Sequence, residues 1–486
     1  MESAHIFSTY QPPQSDFDEF FSPEGGVRSH NARLFEFFSH LSKEKLDALH
    51  GIARDVFFNQ GITFNVYSDN PEGVEKIFPF DLAPRVIAQS EWQHLEAGLM
   101  QRNRAINLFI EDLYHDKKIL KAGVVPHELV FSCPFFQKSM VGFRPVGGIY
   151  VHVAGTDLIK HNDGAYYVLE DNLRCPSGVS YVLSNRMAMK RLLPALFLEH
   201  EVMAVQDYPE ELATIMHSVA PPGVENPTCV VLSPGMFNSA YYEHAFLALS
   251  MGIELVEGRD LFVEKNEVFM KTVRGPKRVD LIYRRIDDDF LDPMVFRPDS
   301  MLGVPGIMAA YRAGKVNILN APGTGAADDK AIYAYIPDVI RYYLGEEPIL
   351  QNVPTYRCGE PEEMKFVLEH MHELVVKPVD ESGGYGVIIG SHCSKAELAA
   401  CRERVLANPR KYIAQPIMRL SMHPTFIDET HQFEPRHIDL RTFTLTGKDC
   451  GHVLKGGLSR VALRRGSLIV NSSQGGGSKD TWVLSR

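Results

Sequence analysis

Cysteine is scarce in this 486-residue chain. The seven at 133, 175, 229, 358, 393, 401 and 450 are odd in number and form no Cys-x-x-Cys pair. That spacing argues against a disulfide framework and a structural zinc site, and it fits a reducing, cytoplasmic setting. Basic blocks are also missing. With 50 Lys and Arg against 61 Asp and Glu the net charge is −11, so nucleic acid and anionic membranes are not expected partners. No apolar run can cross a bilayer, because the most apolar stretch, 187–205, is broken by Lys190, Arg191, Pro194 and Glu199. The first 27 residues contain no Lys or Arg and no apolar core segment, and they do not read as a signal peptide. There is no excess of Pro, Gly or Ser, no internal repeat and no low-complexity tract.

What is present is ordinary globular composition, 45% hydrophobic and 23% charged, in a chain too long for one hydrophobic core. Helical spacing dominates 34–57 and 90–115, where Trp92, Leu95, Leu99, Ile106, Phe109, Ile110 and Leu113 recur on one face. Residues 1–125 are therefore expected to form a helical N-terminal region. Short β-like runs such as GGIYVHVAG and AYYVLEDN follow in a β-rich segment, 126–225, with a helix expected over 180–198. The proline- and glycine-bearing stretch 220–227, APPGVENP, reads as a linker. Beyond it, alternating strands and helices predict a parallel αβ unit over 226–322 and a further αβ region over 323–486. The fold class is α/β with α+β elements.

Four groups of residues carry chemistry. Val375-Val376-Lys377-Pro378 and then Ser382-Gly383-Gly384-Tyr385-Gly386 set a strand lysine before a glycine-rich turn. Backbone N–H groups of such a turn can approach phosphate oxygens while the ammonium neutralises them, although a plain glycine hairpin has the same composition. The pattern is not a Walker A loop, since the lysine precedes the glycines. Lys330 opens a predicted helix 47 residues earlier and, taken singly, is a surface residue. Asp439 and Arg441 fall on one face of a strand-like run, as a salt bridge or as a carboxylate beside an oxyanion-binding guanidinium. Asp157, Glu170 and Asn172 form a set of oxygen donors, because residues 170 and 172 share a strand face and suit a hard cation such as Mg²⁺; an exposed acidic turn is the alternative. The run from Asn471 through GGGSK at 475–479 suits either a mobile tail or an oxyanion loop.

In chain order, Lys330, Lys377 with Gly383 to Gly386, the strand YIAQPI at 412–417, Asp439-x-Arg441, Arg460, and Asn471 with its glycines resemble the ATP-grasp ligases. In those proteins an Asp and a Glu-x-Asn come last, whereas here Asp157 and Glu170-x-Asn172 come first. The chain thus resembles the circularly permuted ATP-grasp family (type 2), distantly similar to glutathionylspermidine synthase. The resemblance extends from about residue 80 to the C-terminus and includes NAPGTGAADDK and VDLIYRRIDDDFLDP.

The resemblance implies a circularly permuted ATP-grasp. Its metal-binding strands would lie in 126–225, an αβ substrate domain over 226–322 would precede the grasp, and the nucleotide-binding lobes would fill 323–486. ATP and Mg²⁺ are the implied cofactors. Lys330 and Lys377 would hold phosphates, Ser382 to Gly386 (Gly383, Gly384 and Tyr385 between them) would close over the triphosphate, and backbone groups near Gln415 and Ile417 would read adenine. Asp157, Glu170 and Asn172 would hold Mg²⁺. Arg441, Arg460 and Asn471 would serve catalysis. Gln415-Pro416 replaces the acid that many relatives use for the ribose. Arg284, Arg285, Asp287 and Asp288 are candidates for the carboxylate and ammonium of a substrate, or for a structural ion-pair network. The implied activity is ADP-forming ligation of a carboxylate to an amine on a small or short-peptide substrate. A nucleotide-binding regulatory or scaffold protein is the alternative. The oligomeric state is not indicated.

Overall fold

The computed structural model describes residues 6–66, 74–380, 386–471 and 476–485, so Ser382, Gly383, Gly384 and Tyr385 lie outside the described residues. The expected amphipathic helix is present as Gln89–Tyr114, with all seven of its predicted apolar positions buried. Gly98 on this helix lets the segment after it in space come close, since a Cβ there would sit 2.4 Å from the Leu350 side chain. Prolines divide two of the expected helices. Val179–Leu192 ends before Pro194, which opens a separate turn of helix to His200. The helix that Lys330 begins stops at Tyr333, and Ile336–Leu344 restarts with Pro337 in its first turn, where the missing N–H costs nothing.

A nine-stranded sheet forms the centre. Its main path runs Gln351–Asn352, Tyr166–Asn172, Val153–Lys160, Gln432–Gly447, Leu458–Val461, Gly477–Val483 and Phe80–Ile87. The pairs are antiparallel except at the two edges. Two readings are corrected here. The N-terminal region is not wholly helical, because Phe80–Ile87 is an edge strand of this sheet. Segment 126–225 carries two long strands but more helix than strand. From Gly477 onward the glycine–serine stretch is neither tail nor loop: it begins a buried strand in which Lys479 pairs with Asp81.

The αβ unit is a four-stranded parallel sheet in the order Asn317–Leu319, Leu281–Arg284, Cys229–Leu232, Glu254–Val256. A third, antiparallel sheet, Tyr356–Arg357, Tyr412–Pro416, Leu374–Pro378 and Ile388–Ile389, forms a small lobe that caps the centre. We refer to it as the lid lobe. One side chain ties the αβ unit to the central sheet. The buried Asn320 accepts at Oδ1 from the His152 and Val153 N–H groups at 2.7 and 2.8 Å, and donates from Nδ2 to the Val153 and Leu173 carbonyls at 2.7 and 2.8 Å. It thereby sets the start of the Asp157 strand and the end of the Glu170 strand. Asn320→Ala leaves these backbone groups without partners and is expected to cost about 3 kcal/mol of unfolding free energy, read by urea denaturation.

Candidate active site

The site grows from cross-strand register. Asp157 stands opposite Glu170 on one side and Arg441 on the other, and Asp439 stands opposite Arg460. Alternation along a strand puts Glu170 and Asn172 on the cleft face and turns Asp171 away, where Arg102 of the long helix grips it at 2.6 Å. That buried pair holds the strand from behind, and the carboxylate in front remains partly accessible.

In front, the charges are arranged as a row. Arg441 binds Asp157 through two parallel bonds, Nε to Oδ1 at 2.6 Å and Nη2 to Oδ2 at 2.8 Å. Arg460 donates to Asp157 Oδ2 at 2.8 Å and, from Nε, to Asp439 Oδ1 at 2.8 Å. Burial alone would raise the Asp157 carboxyl, but the two guanidiniums overcome it and hold it well below the usual range. Asp439, fully buried and sharing Arg460 with Asp157, is pushed up by burial. Glu170 lies 3.4 Å from the Lys330 ammonium and 4.0 Å from Arg441.

Across a cleft of about 180 Å³, the lid lobe presents Lys377 and Gln415. The Lys377 ammonium donates to Gln415 Oε1 at 2.6 Å, and the Gln415 amide donates to Thr355 at 2.9 Å. Burial draws the Lys377 pKa down to about 8. Lys330 contributes in the same direction and Glu170 and Asp157 oppose it. The cleft is lined by charged groups, among them both lysines, Glu170 and Arg460, and by apolar side chains, among them Ile417, Met418, Leu420, Leu468 and Ile469. Such a lining suits a molecule that is anionic in one part and apolar in another.

Most of the expected residues converge here: Asp157, Glu170, Lys330, Lys377, Gln415, Ile417, Arg460 and Asn471 all line the cleft. Arg441 joins through Asp157. Gly386 is described, while the rest of the loop is not. Asn172 donates its Nδ2 to the Gly155 carbonyl at 3.1 Å, which leaves its oxygen available, and it lines a smaller recess beside Glu170 and Lys330. Both Asp157 oxygens accept from guanidiniums, so a cation held there would share them with Arg441 and Arg460. Glu170 and Asn172 carry further oxygens of a kind that suits Mg²⁺ when phosphates complete the shell.

The four residues after the Leu281–Arg284 strand divide between the two readings given for them. Arg284 is buried, donates to the Asn320 and Ile286 carbonyls at 2.7 Å and pairs with Asp288 at 2.7 Å. Arg285 is buried against Glu243 at 2.9 Å and the Pro176 carbonyl at 2.7 Å. These contacts make Arg284, Arg285 and Asp288 the structural ion-pair network. Asp287 is half-exposed, 3.5 Å from Arg174. Asp439 was visible as half of the Asp-x-Arg pair, but its service to Arg460 required the register. The apolar walls from Leu468 to Val470 carried no recognisable signal.

A family model described as circularly permuted ATP-grasp type 2 matches residues 84–462. An uncharacterized protein of Synechocystis sp. is 52% identical over 97% of this chain and 98% of its own length. A putative glutamate–cysteine ligase of Frankia alni is 41% identical over 99% of this chain, which spans 55% of that relative. In shape, the chain is similar to a glutathione synthetase-like effector of Globodera pallida, with a TM-score of 0.57 and 11% identity over 92% of this chain and 98% of that one.

The depressed lysine makes the cleft pH-sensitive in a defined direction. A lysine is charged below its pKa, so the Lys377 charge should fade as pH rises through about 8, where an ordinary lysine at 10.5 stays charged. Affinity for a polyanionic ligand in this cleft is expected to fall between pH 7 and 9 and to level off in Lys377→Arg, whose guanidinium does not titrate there. Calorimetric titrations in two buffers of different ionisation enthalpy should show proton uptake on binding near pH 8.5.

Proposed function

Because the chain belongs to the circularly permuted ATP-grasp type 2 family, we propose that it is an ATP-dependent carboxylate–amine ligase that forms ADP. The observation that carries the reading is the meeting, in one cleft, of Lys377 from the lid lobe with Lys330, Glu170 and the Asp157–Arg441–Arg460 row of the body. The name of the Frankia relative supports ligation of an amino acid carboxylate to an amine. That name belongs to a protein nearly half of which has no counterpart here.

In the proposed reaction the apolar side chains of the cleft would receive the adenine, and backbone groups near Gln415 and Ile417 would read its edge. Lys330 and Lys377 neutralise phosphate oxygens. A substrate carboxylate oxygen attacks the γ-phosphorus, the bond to the bridging oxygen breaks, and ADP leaves. An amine nitrogen then attacks the acyl carbon; the amide forms, inorganic phosphate departs and the amine proton is lost to solvent or base. Arg441, with Arg460 and Asn471 beside it, stabilises the transferring phosphoryl group and the oxyanion that follows. Mg²⁺, held by Glu170 and Asn172, would supply charge neutralisation at the phosphates.

A nucleotide-binding regulatory or scaffold protein is the second reading. Because Arg441 is bound to Asp157, turnover requires the substrate to compete for its guanidinium.

ADP release measured against amino acids (glutamate with cysteine included), polyamines and short peptides separates the two readings. With the right acid present and hydroxylamine in place of the amine, a hydroxamate should accumulate with ADP. Arg441→Ala should suppress it by roughly 10²–10³-fold. Release of AMP and pyrophosphate would sink the mechanism. Glu170→Ala is expected to abolish turnover while nucleotide binding, measured by calorimetry, persists through the lysines and the adenine walls.

A further inference from the structure

The lid lobe must sit correctly over Lys330, which belongs to the body, for both lysines to reach one triphosphate. Apolar packing across that seam is modest. A small cluster of Ala331, Val379 and Ile413, with Leu129 against it, joins the two parts. Beside it the seam opens into a cavity of about 440 Å³ bordered by Leu129, Tyr335, Arg357, Arg410 and Tyr412. Polar contacts therefore carry much of the register between lobe and body, and they converge on Arg410.

Arg410 lies two residues before the lid strand Tyr412–Pro416 and reaches into the body. Its Nη2 donates to Asp329 Oδ2 at 2.8 Å and to the Leu129 carbonyl at 3.0 Å, and its Nε donates to the Ser132 hydroxyl at 3.0 Å. Asp329 is fully buried and divides its two oxygens between two tasks. Oδ2 takes Arg410, while Oδ1 caps the helix Lys330–Tyr333 by accepting from the Ala331 N–H at 2.8 Å. The residue it precedes is Lys330, whose own N–H donates to the carbonyl of Val379, just past the lid strand that bears Lys377, at 3.2 Å. On the other side, Asp328 accepts from Arg174 at 2.7 Å and from the Leu173 N–H at 3.1 Å, at the end of the Glu170 strand. One carboxylate thus connects the lid lobe, the Lys330 helix and, through its neighbour, the Glu170 strand.

We infer that Arg410 is a positioning residue for nucleotide binding: its bond to Asp329 latches the lid lobe to the Lys330 helix, so that Lys330 and Lys377 address the same phosphates. The inference rests on the nucleotide reading above. It involves no contact between Arg410 and the nucleotide, and it assigns the effect to geometry across the seam.

Binding of the non-hydrolysable analogue AMP-PNP with Mg²⁺ to the full chain tests it. Arg410→Met keeps the aliphatic stem and removes the donors, and it should raise the dissociation constant about tenfold, within the range for mutations that act through coupled neighbours. Asp329→Asn, which keeps a cap oxygen, should weaken binding similarly, and the double variant should be no worse than the weaker single one, because both break one bond. Arg410→Lys retains charge and one donor direction and should fall between wild type and Arg410→Met; it also carries the test if Arg410→Met does not fold. Amide hydrogen exchange should show AMP-PNP protecting 330–333 in wild type and failing to do so in Arg410→Met. A folded Arg410→Met with a lowered melting temperature but a wild-type dissociation constant overturns the latch and leaves the nucleotide reading standing. A wild-type protein that does not bind AMP-PNP overturns both.

Discussion

Two carboxylates and two guanidiniums, the buried Asp157, Asp439 and Arg460 and the partly exposed Arg441, stand together at the cleft face of the central sheet, and the site depends on how they satisfy one another. Removing Arg460 would leave the buried Asp439 without its partner, an arrangement far more costly than the pair itself is stabilising. The geometry allows little choice. Asp157 is opposite Arg441 in register, Asp439 opposite Arg460, and one further bond from Arg460 to Asp157 closes the row. A slip of one residue in the Gln432–Gly447 strand would turn both Asp439 and Arg441 to the other face, so the ion pairs and the strand register enforce each other.

The same row explains how a permuted chain can build one site. Glu170 and Asp157 come from the first half of the sequence, and Arg441 and Arg460 from the end. An antiparallel sheet takes strands by edge complementarity rather than by chain order, so Val153–Lys160 pairs with Gln432–Gly447 across almost three hundred residues. The buried clamps behind the sheet serve this join. Arg102 holds Asp171, Arg85 donates to the Asp439 carbonyl at 3.0 Å while bound to Glu19, and Asn320 fixes the strand ends. Each ties the cleft face of the sheet to an element outside the cleft, and each satisfies polar groups that burial would otherwise penalise. The lid lobe is attached differently, through a small apolar cluster and polar contacts at the seam, and an element with fewer buried contacts is the one free to move over a ligand.

Much of this was legible in the residues. Helical period located the Gln89–Tyr114 helix, alternation put Glu170 with Asn172 and Asp439 with Arg441, and the order of motifs pointed to the permuted family. Local pattern and tertiary context diverge at particular elements. Phe80–Ile87 lies between two helical stretches, yet its partner is the strand Gly477–Val483 far away in sequence. The GGGSK stretch was ambiguous because its glycines favour a loop while its burial between two strands was invisible. Arg284 and Arg285 had the composition of a ligand site, and only their hydrogen bonds showed that their donors are already engaged.

By itself, then, the sequence determined which polar and charged side chains are on hand and the faces on which they stand, because side-chain chemistry and backbone period are local properties. Tertiary structure decided which of those groups are available. Asp157 is chemically as good a metal ligand as Glu170, yet cross-strand register gives it two guanidiniums, whereas Glu170 keeps an accessible oxygen. Lys377 is an ordinary lysine until burial beside Lys330 draws its pKa down to about 8. Availability and protonation depend on what approaches from distant parts of the chain, through charge and desolvation that fall off within a few ångströms, and no spacing along the sequence encodes those distances.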